Sequence, residues 1–519
     1  MSNSTGEVFS NPVIPGFYPD PSVCRVGTDF YLVTSSFEYA PGIPIFHSTD
    51  LVSWVQIGHC LSRPSQLDLS RARASQGIYA PTIRWNDGTF FVTATNVAGG
   101  GHFIVNATDP AGPWSDPVWV DQDGIDPSLY FEDGVAYFQS NIEPNTAGEH
   151  TAEPGFERGI QQSIVNPVTG ERLTEPRWLW GGSGGRFPEA PHLYKRDGLY
   201  YLVIAEGGTE AGHMVTVARA DNPWGPFQSA PTNPILSHRS TSSPIQSTGH
   251  ADLVELQDGS WWAVLLGTRP IRNVHHIGRE TFLTPVVWDA DGWPSLGEGG
   301  RVKGVHARPS TPASGWSRPV EAASQVPPGL EWNGVRRFPD EFAAFNTEQN
   351  SITITSTALS TGDPMVSFLG RRQQHHRFVA QVGAELLTEH GEVGLMVRSD
   401  DDHHYEVGLA ADDAGEWLVF RRQIGDLVDE RRVRAHTKHV KLRVVADDHQ
   451  YSFSVLDVAG ELQLGVGDAR YLSSEVTGGF TGAYVGMYVT GNTARGRVEE
   501  FHYAEIPAPQ GAVPVTSSV

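Results

Sequence analysis

The sequence predicts an all-β protein: a five-bladed β-propeller followed by a β-sandwich. Three observations predict it: a hairpin motif repeated five times, a composition crowded with turn formers and aromatics, and alternating apolar runs in the C-terminal part. The 519 residues include 56 Gly and 36 Pro; 39% are hydrophobic and 10% aromatic, with 14 Trp. That mixture is foreign to collagen, coiled coil or wholesale disorder. At roughly 100–200 residues per domain, the length accommodates two large domains or three ordinary ones.

The repeat is read directly. Asp20-Pro21-Ser22-Val23 leads through Gly27-Thr28-Asp29 to Phe30-Tyr31, and Ala80-Pro81-Thr82-Ile83 through Asp87-Gly88 to Phe90-Phe91. Asp126-Pro127-Ser128-Leu129 leads through Asp133-Gly134 to Ala136-Tyr137, and Ala190-Pro191-His192-Leu193 through Asp197-Gly198 to Tyr200-Tyr201. The fifth copy runs from His250-Ala251-Asp252-Leu253 through Asp258-Gly259 to Trp261-Trp262. A short strand, an Asp-Gly type turn and an aromatic strand make a strong hairpin signal. The copies start about 58 residues apart, slightly above the ~40–50 of common propeller repeats. Each interval also holds a second hairpin-like stretch, for example His47-Ser48-Thr49-Asp50 before Trp54 and Ala220-Asp221-Asn222-Pro223-Trp224. Four strands per unit, five times, predict a propeller over residues 8–305.

A Pro-rich stretch with Pro309, Pro312, Pro319, Pro327 and Pro328 follows, and it reads as a linker over 306–328 because proline cannot donate to a ladder. Beyond it, runs such as Phe378-Val379-Ala380-Gln381-Val382 and Val440-Lys441-Leu442-Arg443-Val444-Val445 predict strands of a sandwich over 329–507. No long amphipathic helix is expected. Residues 508–519 read as a frayed tail.

Asp and Glu number 60 against 37 Lys and Arg, a formal charge of −23. Such a surface repels phosphate backbones and anionic membranes, so nucleic acid and membrane are excluded as partners. Residues 1–13 lack a basic start followed by an apolar run, and Cys24 and Cys60 are too few for a disulfide framework. A reducing, cytoplasmic location is the expectation.

Equivalent positions of the innermost strands converge on a propeller's axis, so Asp20, Ala80, Asp126, Ala190 with the preceding Glu189, and His250 should meet there. A single Asp-Pro more often starts a turn and caps local backbone. Three carboxylates in register are costly to gather unless they bind, share a proton or hold a cation. Two carboxylates flanking a pocket are what glycosidic cleavage needs, an acid for the leaving oxygen and a base or nucleophile opposite.

The run Asn11-Pro12-Val13-Ile14-Pro15-Gly16-Phe17-Tyr18-Pro19-Asp20-Pro21-Ser22, with Gly124-Ile125-Asp126-Pro127-Ser128-Leu129, Arg186-Phe187-Pro188-Glu189-Ala190-Pro191-His192, Thr248-Gly249-His250-Ala251-Asp252 and Gly278-Arg279-Glu280-Thr281, resembles glycoside hydrolase family 43. Within it, the chain is similar to the β-xylosidases and α-L-arabinofuranosidases that carry a C-terminal sandwich of concanavalin-like jelly-roll type; Gly370-Arg371-Arg372-Gln373-Gln374-His375 and Gly479-Phe480-Thr481-Gly482 match that second domain. The resemblance implies an inverting, exo-acting enzyme that releases a terminal pentose from plant-type hemicellulose oligosaccharides. It implies that Asp20 is the general base, Glu189 the general acid, and Asp126 the group that tunes and orients the acid. Arg279 matches an arginine that clamps sugar hydroxyls, and Phe37 and Tyr79, beside Ala80, match positions around the terminal sugar. Phe480 is implied to close the mouth of the pocket from the second domain, the competing reading being a core phenylalanine. His250 matches an axial histidine that touches a central ion, often calcium, or its water, although neutral imidazole is an uncommon calcium ligand. No cofactor is required for the chemistry, and the oligomeric state, homo-oligomer included, is open.

The chain departs from the resemblance at two places. Where β-xylosidases of the family commonly read Trp-Ala-Pro, it has Tyr79-Ala80-Pro81, and Ala190 replaces the Gly that often follows the acid. The Tyr79 form resembles a branch rich in arabinofuranosidases. The pairs His375-His376 and His403-His404, with His436 and His439, lack the carboxylate or thiolate spacing of a metal site and read as strand edges or packing. Arg421-Arg422 and Glu430-Arg431-Arg432 read as a wet sandwich face. Two other classes compete: a retaining fructosyl-sugar propeller enzyme, whose Asn-Asp-Pro-Asn-Gly and Arg-Asp-Pro runs are not found, and a non-catalytic carbohydrate-binding protein, which would have lost Glu189.

Overall fold

The computed structural model of the chain describes residues 7–142, 158–311, 329–457 and 460–507. Each of the five hairpins is the inner half of a blade. The inner pairs are Ser22–Val26 with Asp29–Val33, Thr82–Asn86 with Thr89–Asn96, Ser128–Glu132 with Val135–Ile142, Glu189–Arg196 with Leu199–Glu206, and Gln246–Glu255 with Trp261–Thr268. Each sheet continues outward antiparallel, so the propeller has five blades as expected. In the second to fourth blades the turn residues Asp87-Gly88, Asp133-Gly134 and Asp197-Gly198 all have positive φ, from 45° to 82°. This is the type I′ geometry that matches strand twist, and it explains why Asp-Gly recurs there.

The ring is closed by the N-terminal segment. Val8–Ser10 pairs with Val305–Ala307, so the start of the Pro-rich stretch is itself a strand, and the Asn11 side chain bonds both the N–H and the C=O of Leu283 in blade five. Most of the predicted linker, 312–328, and the predicted tail lie outside the described residues.

The second domain stacks an eight-stranded and a seven-stranded antiparallel sheet over one apolar core. The eight-stranded sheet ends on a strand it does not own: Gly334 and Val335 pair with Ala40 and Tyr39, which leave the propeller between two strands of blade one. A shared apolar cluster of Phe17, Phe37, Tyr39, Val335, Phe368, Tyr484 and Tyr488 fills the seam. Tyr39 and Tyr484 stack across it with ring centroids 3.8 Å apart. Hydrogen bonding and burial together therefore fix the two domains face to face.

One expectation about the sandwich is corrected, and the packing expected of the histidine pairs is seen at His404 and His376. Arg421 is not on a wet face: its guanidinium is largely buried and bridges Glu392, Glu406 and Glu430. His404 is fully buried against Glu406 at 2.7 Å, and the His376 ring packs 5.2 Å from His276 of the propeller. For Arg421 the reason is that cross-strand neighbours Glu406 and Glu430 supply compensating charge that linear spacing does not reveal.

Candidate active site

At the mouth of the propeller, Asp20, Asp126, Ala190 and His250 occupy the same place in their blades, and all four have φ between 50° and 55°. That left-handed conformation is uncommon for residues with a Cβ and recurs at functional sites. Ala80, the fifth counterpart, is buried but does not share it. The strands are fastened beneath by Asp252, which accepts from Ser22 Oγ at 2.6 Å, the Arg84 guanidinium at 2.7 and 3.0 Å and the Tyr194 hydroxyl at 2.5 Å. One buried carboxylate thereby joins four blades. Asp252 belongs to the frame, not to the pocket.

Asp20 is 4% exposed. Burial pushes its pKa up, but the Arg279 guanidinium at 2.7 Å, His250 and a 2.5 Å hydrogen bond from Ser35 Oγ outweigh burial and hold the carboxyl below its ordinary value. Asp126 is the opposite case. Burial, then the Glu189 charge, then that of Asp20 raise it well above the carboxylate range, against a hydrogen bond from the Ala190 N–H. The pKa values of two carboxyls in one pocket are thus driven apart, one down and one up. Glu189 opens its strand beside Ala205, and a bulge between Glu189 and His192 turns the chain there.

Arg279 links everything on the other side. Besides Asp20 it donates to Thr209 Oγ1 at 3.2 Å and to the Phe480 carbonyl at 3.3 Å, and it lies over the Phe37 ring. Phe37, Tyr79 and Phe480 form an aromatic trio with centroids 5.2 to 6.5 Å apart. Phe480 is 41% exposed, so it is not a core residue of the sandwich. Its loop runs hard against the propeller: a Cβ on Gly482 would stand 2.0 Å from the Ile277 carbonyl, which only glycine avoids.

His250 stands with Nδ1 3.7 Å from Asp20 Oδ1, and burial lowers its pKa against the opposing pull of the Asp20 charge. Calcium takes six to eight oxygens, roughly, and the Asp20 carboxylate is already committed to Arg279 and Ser35. Among the described residues no group of three or more His, Cys, Asp or Glu is gathered for an ion. The donors present do not fit a protein-built calcium cage.

Sequence reasoning missed Ser35, Ser75, Thr209 and Glu206. Ser75 Oγ accepts the Phe480 N–H, and its carbonyl accepts the Tyr79 hydroxyl. Glu206 and Thr209 lie in one run, Glu206-Gly207-Gly208-Thr209, whose paired glycines were the available signal. Nothing in the sequence marks Ser35 or Ser75.

The model of glycosyl hydrolases family 43 matches residues 9–294, and that of the β-xylosidase C-terminal concanavalin A-like domain matches residues 324–506. A non-reducing end α-L-arabinofuranosidase of Bacteroides ovatus is 42% identical over 499 residues, 94% of this chain and 92% of that protein. A xylosidase/arabinosidase of Butyrivibrio fibrisolvens is 35% identical, covering 93% of this chain and 96% of its own. The solved Bacteroides ovatus Xyloglucan PUL GH43B superposes with a TM-score of 0.87 at 39% identity, over 96% of this chain and 100% of that one.

Proposed function

Because the chain belongs to glycosyl hydrolase family 43, in the β-xylosidase and α-L-arabinofuranosidase group, we propose that it removes terminal α-L-arabinofuranose or β-D-xylose from hemicellulose oligosaccharides with inversion. What carries the assignment of roles is the placement of the three carboxylates: Asp20 is bound by Arg279 and Ser35, while Asp126 stands close enough to the Glu189 charge for its pKa to be raised. Asp20, ionised and held by Arg279 and Ser35, takes a proton from water as that water attacks the anomeric carbon. Glu189 gives its proton to the departing oxygen, and Asp126 beside it keeps a proton in the pair by like-charge repulsion and burial. Water attacks directly, so no glycosyl-enzyme forms.

Arg279 and the trio of Phe37, Tyr79 and Phe480 suit a single sugar ring, with polar edges met by guanidinium and faces by aromatics. The Phe480 loop walls one side, which supports a pocket for a chain end and hence exo action. Every residue named comes from one chain. A calcium ion at the axis near His250 would be held through its own water ligands. A cytoplasmic location is supported by two buried free thiols, Cys24 and Cys60.

The test is release from aryl β-D-xyloside and aryl α-L-arabinofuranoside by one preparation. Turnover of either supports the reading and their ratio ranks the sugars; turnover of neither, by a folded protein, would remove it.

A further inference from the structure

Glu206 ends the strand Leu199–Glu206 and is fully buried, yet the reaction gives it no part. Its carboxylate gathers the loop that leads to Glu189. Oε2 accepts the Ser183 N–H at 2.9 Å, and Oε1 accepts the Gly185 N–H at 2.7 Å. Thr216 Oγ1, from the neighbouring strand, donates to Oε2 at 2.5 Å. The next residue adds a further tie, since the Gly207 N–H donates to the Arg186 carbonyl at 2.6 Å. The loop is shaped for this anchor. A Cβ on Gly182, at φ 86°, would stand 2.7 Å from Glu206 Oε1, and one on Gly185 would stand 2.9 Å from it. Three donors converging on two oxygens call for a group that only accepts, which a carboxylate is and an amide is not.

From Gly185 the chain reaches Glu189 through Arg186, Phe187 and Pro188, with Phe187 at φ 53°. Glu189 then pairs with Ala205, the residue before Glu206. The acid is therefore held at both ends by one short piece of strand: by Ala205 in register and by Glu206 through the loop. A general acid must meet the leaving oxygen at hydrogen-bond distance, and a misplacement of about 1 Å costs on the order of 10²-fold.

We propose that Glu206 is the positioning residue of the general acid, clamping the 182–186 loop so that Glu189 faces the leaving-group oxygen. The inference rests on Glu189 being that acid. Glu206 also precedes Thr209, which touches Arg279, so an effect passing that way would appear in sugar binding and raise KM.

The test compares an unactivated oligosaccharide with an aryl glycoside of a strongly acidic phenol, using Glu206→Gln, Thr216→Val and Glu189→Gln beside the unaltered protein. Glu206→Gln should lower kcat about 10- to 100-fold on the oligosaccharide. It should lower kcat far less on the aryl glycoside, with KM little changed. Thr216→Val removes one of the three hydrogen bonds and should give the same pattern more weakly; it carries the test if Glu206→Gln does not fold. Equal loss on both substrates, a change confined to KM, or full activity in a folded variant would overturn the inference. Glu189→Gln separates the two levels. If it shows the leaving-group dependence and the other two do not, the acid stands and the clamp falls; if it shows none, the acid assignment falls first and the clamp with it.

Discussion

The Phe480 N–H donates to Ser75 Oγ at 2.8 Å, across 405 residues of sequence and across the boundary between the two domains. Ser75 in turn receives the Tyr79 hydroxyl on its carbonyl and gives its N–H to Glu38. One serine thus sets two walls of the pocket, one from each domain.

Phe480→Ala should raise KM several-fold while leaving the melting temperature nearly unchanged, because the ring is 41% exposed and lines the mouth. Ser75→Ala should do the same by freeing the loop. Kinetics and a thermal melt on each variant check this; a large fall in melting temperature with KM unaltered would mean that the ring serves packing.

Glu189→Ala and Asp20→Ala should each remove most turnover, by about 10²–10⁴-fold on an unactivated linkage. The two differ in how they respond to the leaving group. The acid variant should retain more activity on an activated aryl glycoside, which needs less protonation, whereas the base variant should lose activity on both.

Stereochemistry is the third expectation. With water placed between Asp20 and the anomeric carbon, the first-formed sugar should be the inverted anomer. Proton NMR recorded before mutarotation reads it, and the retained anomer would replace direct attack with a covalent route.

The pH profile should be asymmetric. Asp20 sits below its ordinary pKa and Asp126 well above, so the acid limb falls at low pH and the alkaline limb reports proton loss from the Asp126 and Glu189 pair. Removing a like charge lowers a neighbour's pKa. Asp126→Asn should therefore move the alkaline limb of kcat to lower pH, and an unmoved limb would detach Asp126 from the acid.

Glu38 gives a stability test. It is buried against the second domain, and burial pushes its pKa up to about 7 despite Arg336 and the hydrogen bond from Ser75. A folded pKa raised above the unfolded one favours the protonated form, so its contribution is present below the unfolded value of 4.5 and is lost as pH rises through about 7. Glu38→Gln should raise the melting temperature by several degrees at pH 8.5 and change it little at pH 4.5.

The sequence by itself determined the five blades, because Asp-Gly turns and paired aromatics are local signals that survive without context. Register then brought Asp20, Asp126 and His250 to one axis, and the motif around Arg279 and the Gly479-Phe480-Thr481-Gly482 run marked the rest of the mouth by resemblance. Tertiary structure alone decided which way the pKa of each carboxyl moves. That depends on burial and on charges brought from distant blades: Arg279 beside Asp20, Glu189 beside Asp126. It likewise turned Asp252 into a frame residue under Arg84 and made Arg421 an interior cation among three glutamates. It also made Ser75 a hinge pin of the pocket. Electrostatic energy follows distance and local dielectric, and neither quantity is written in residue spacing.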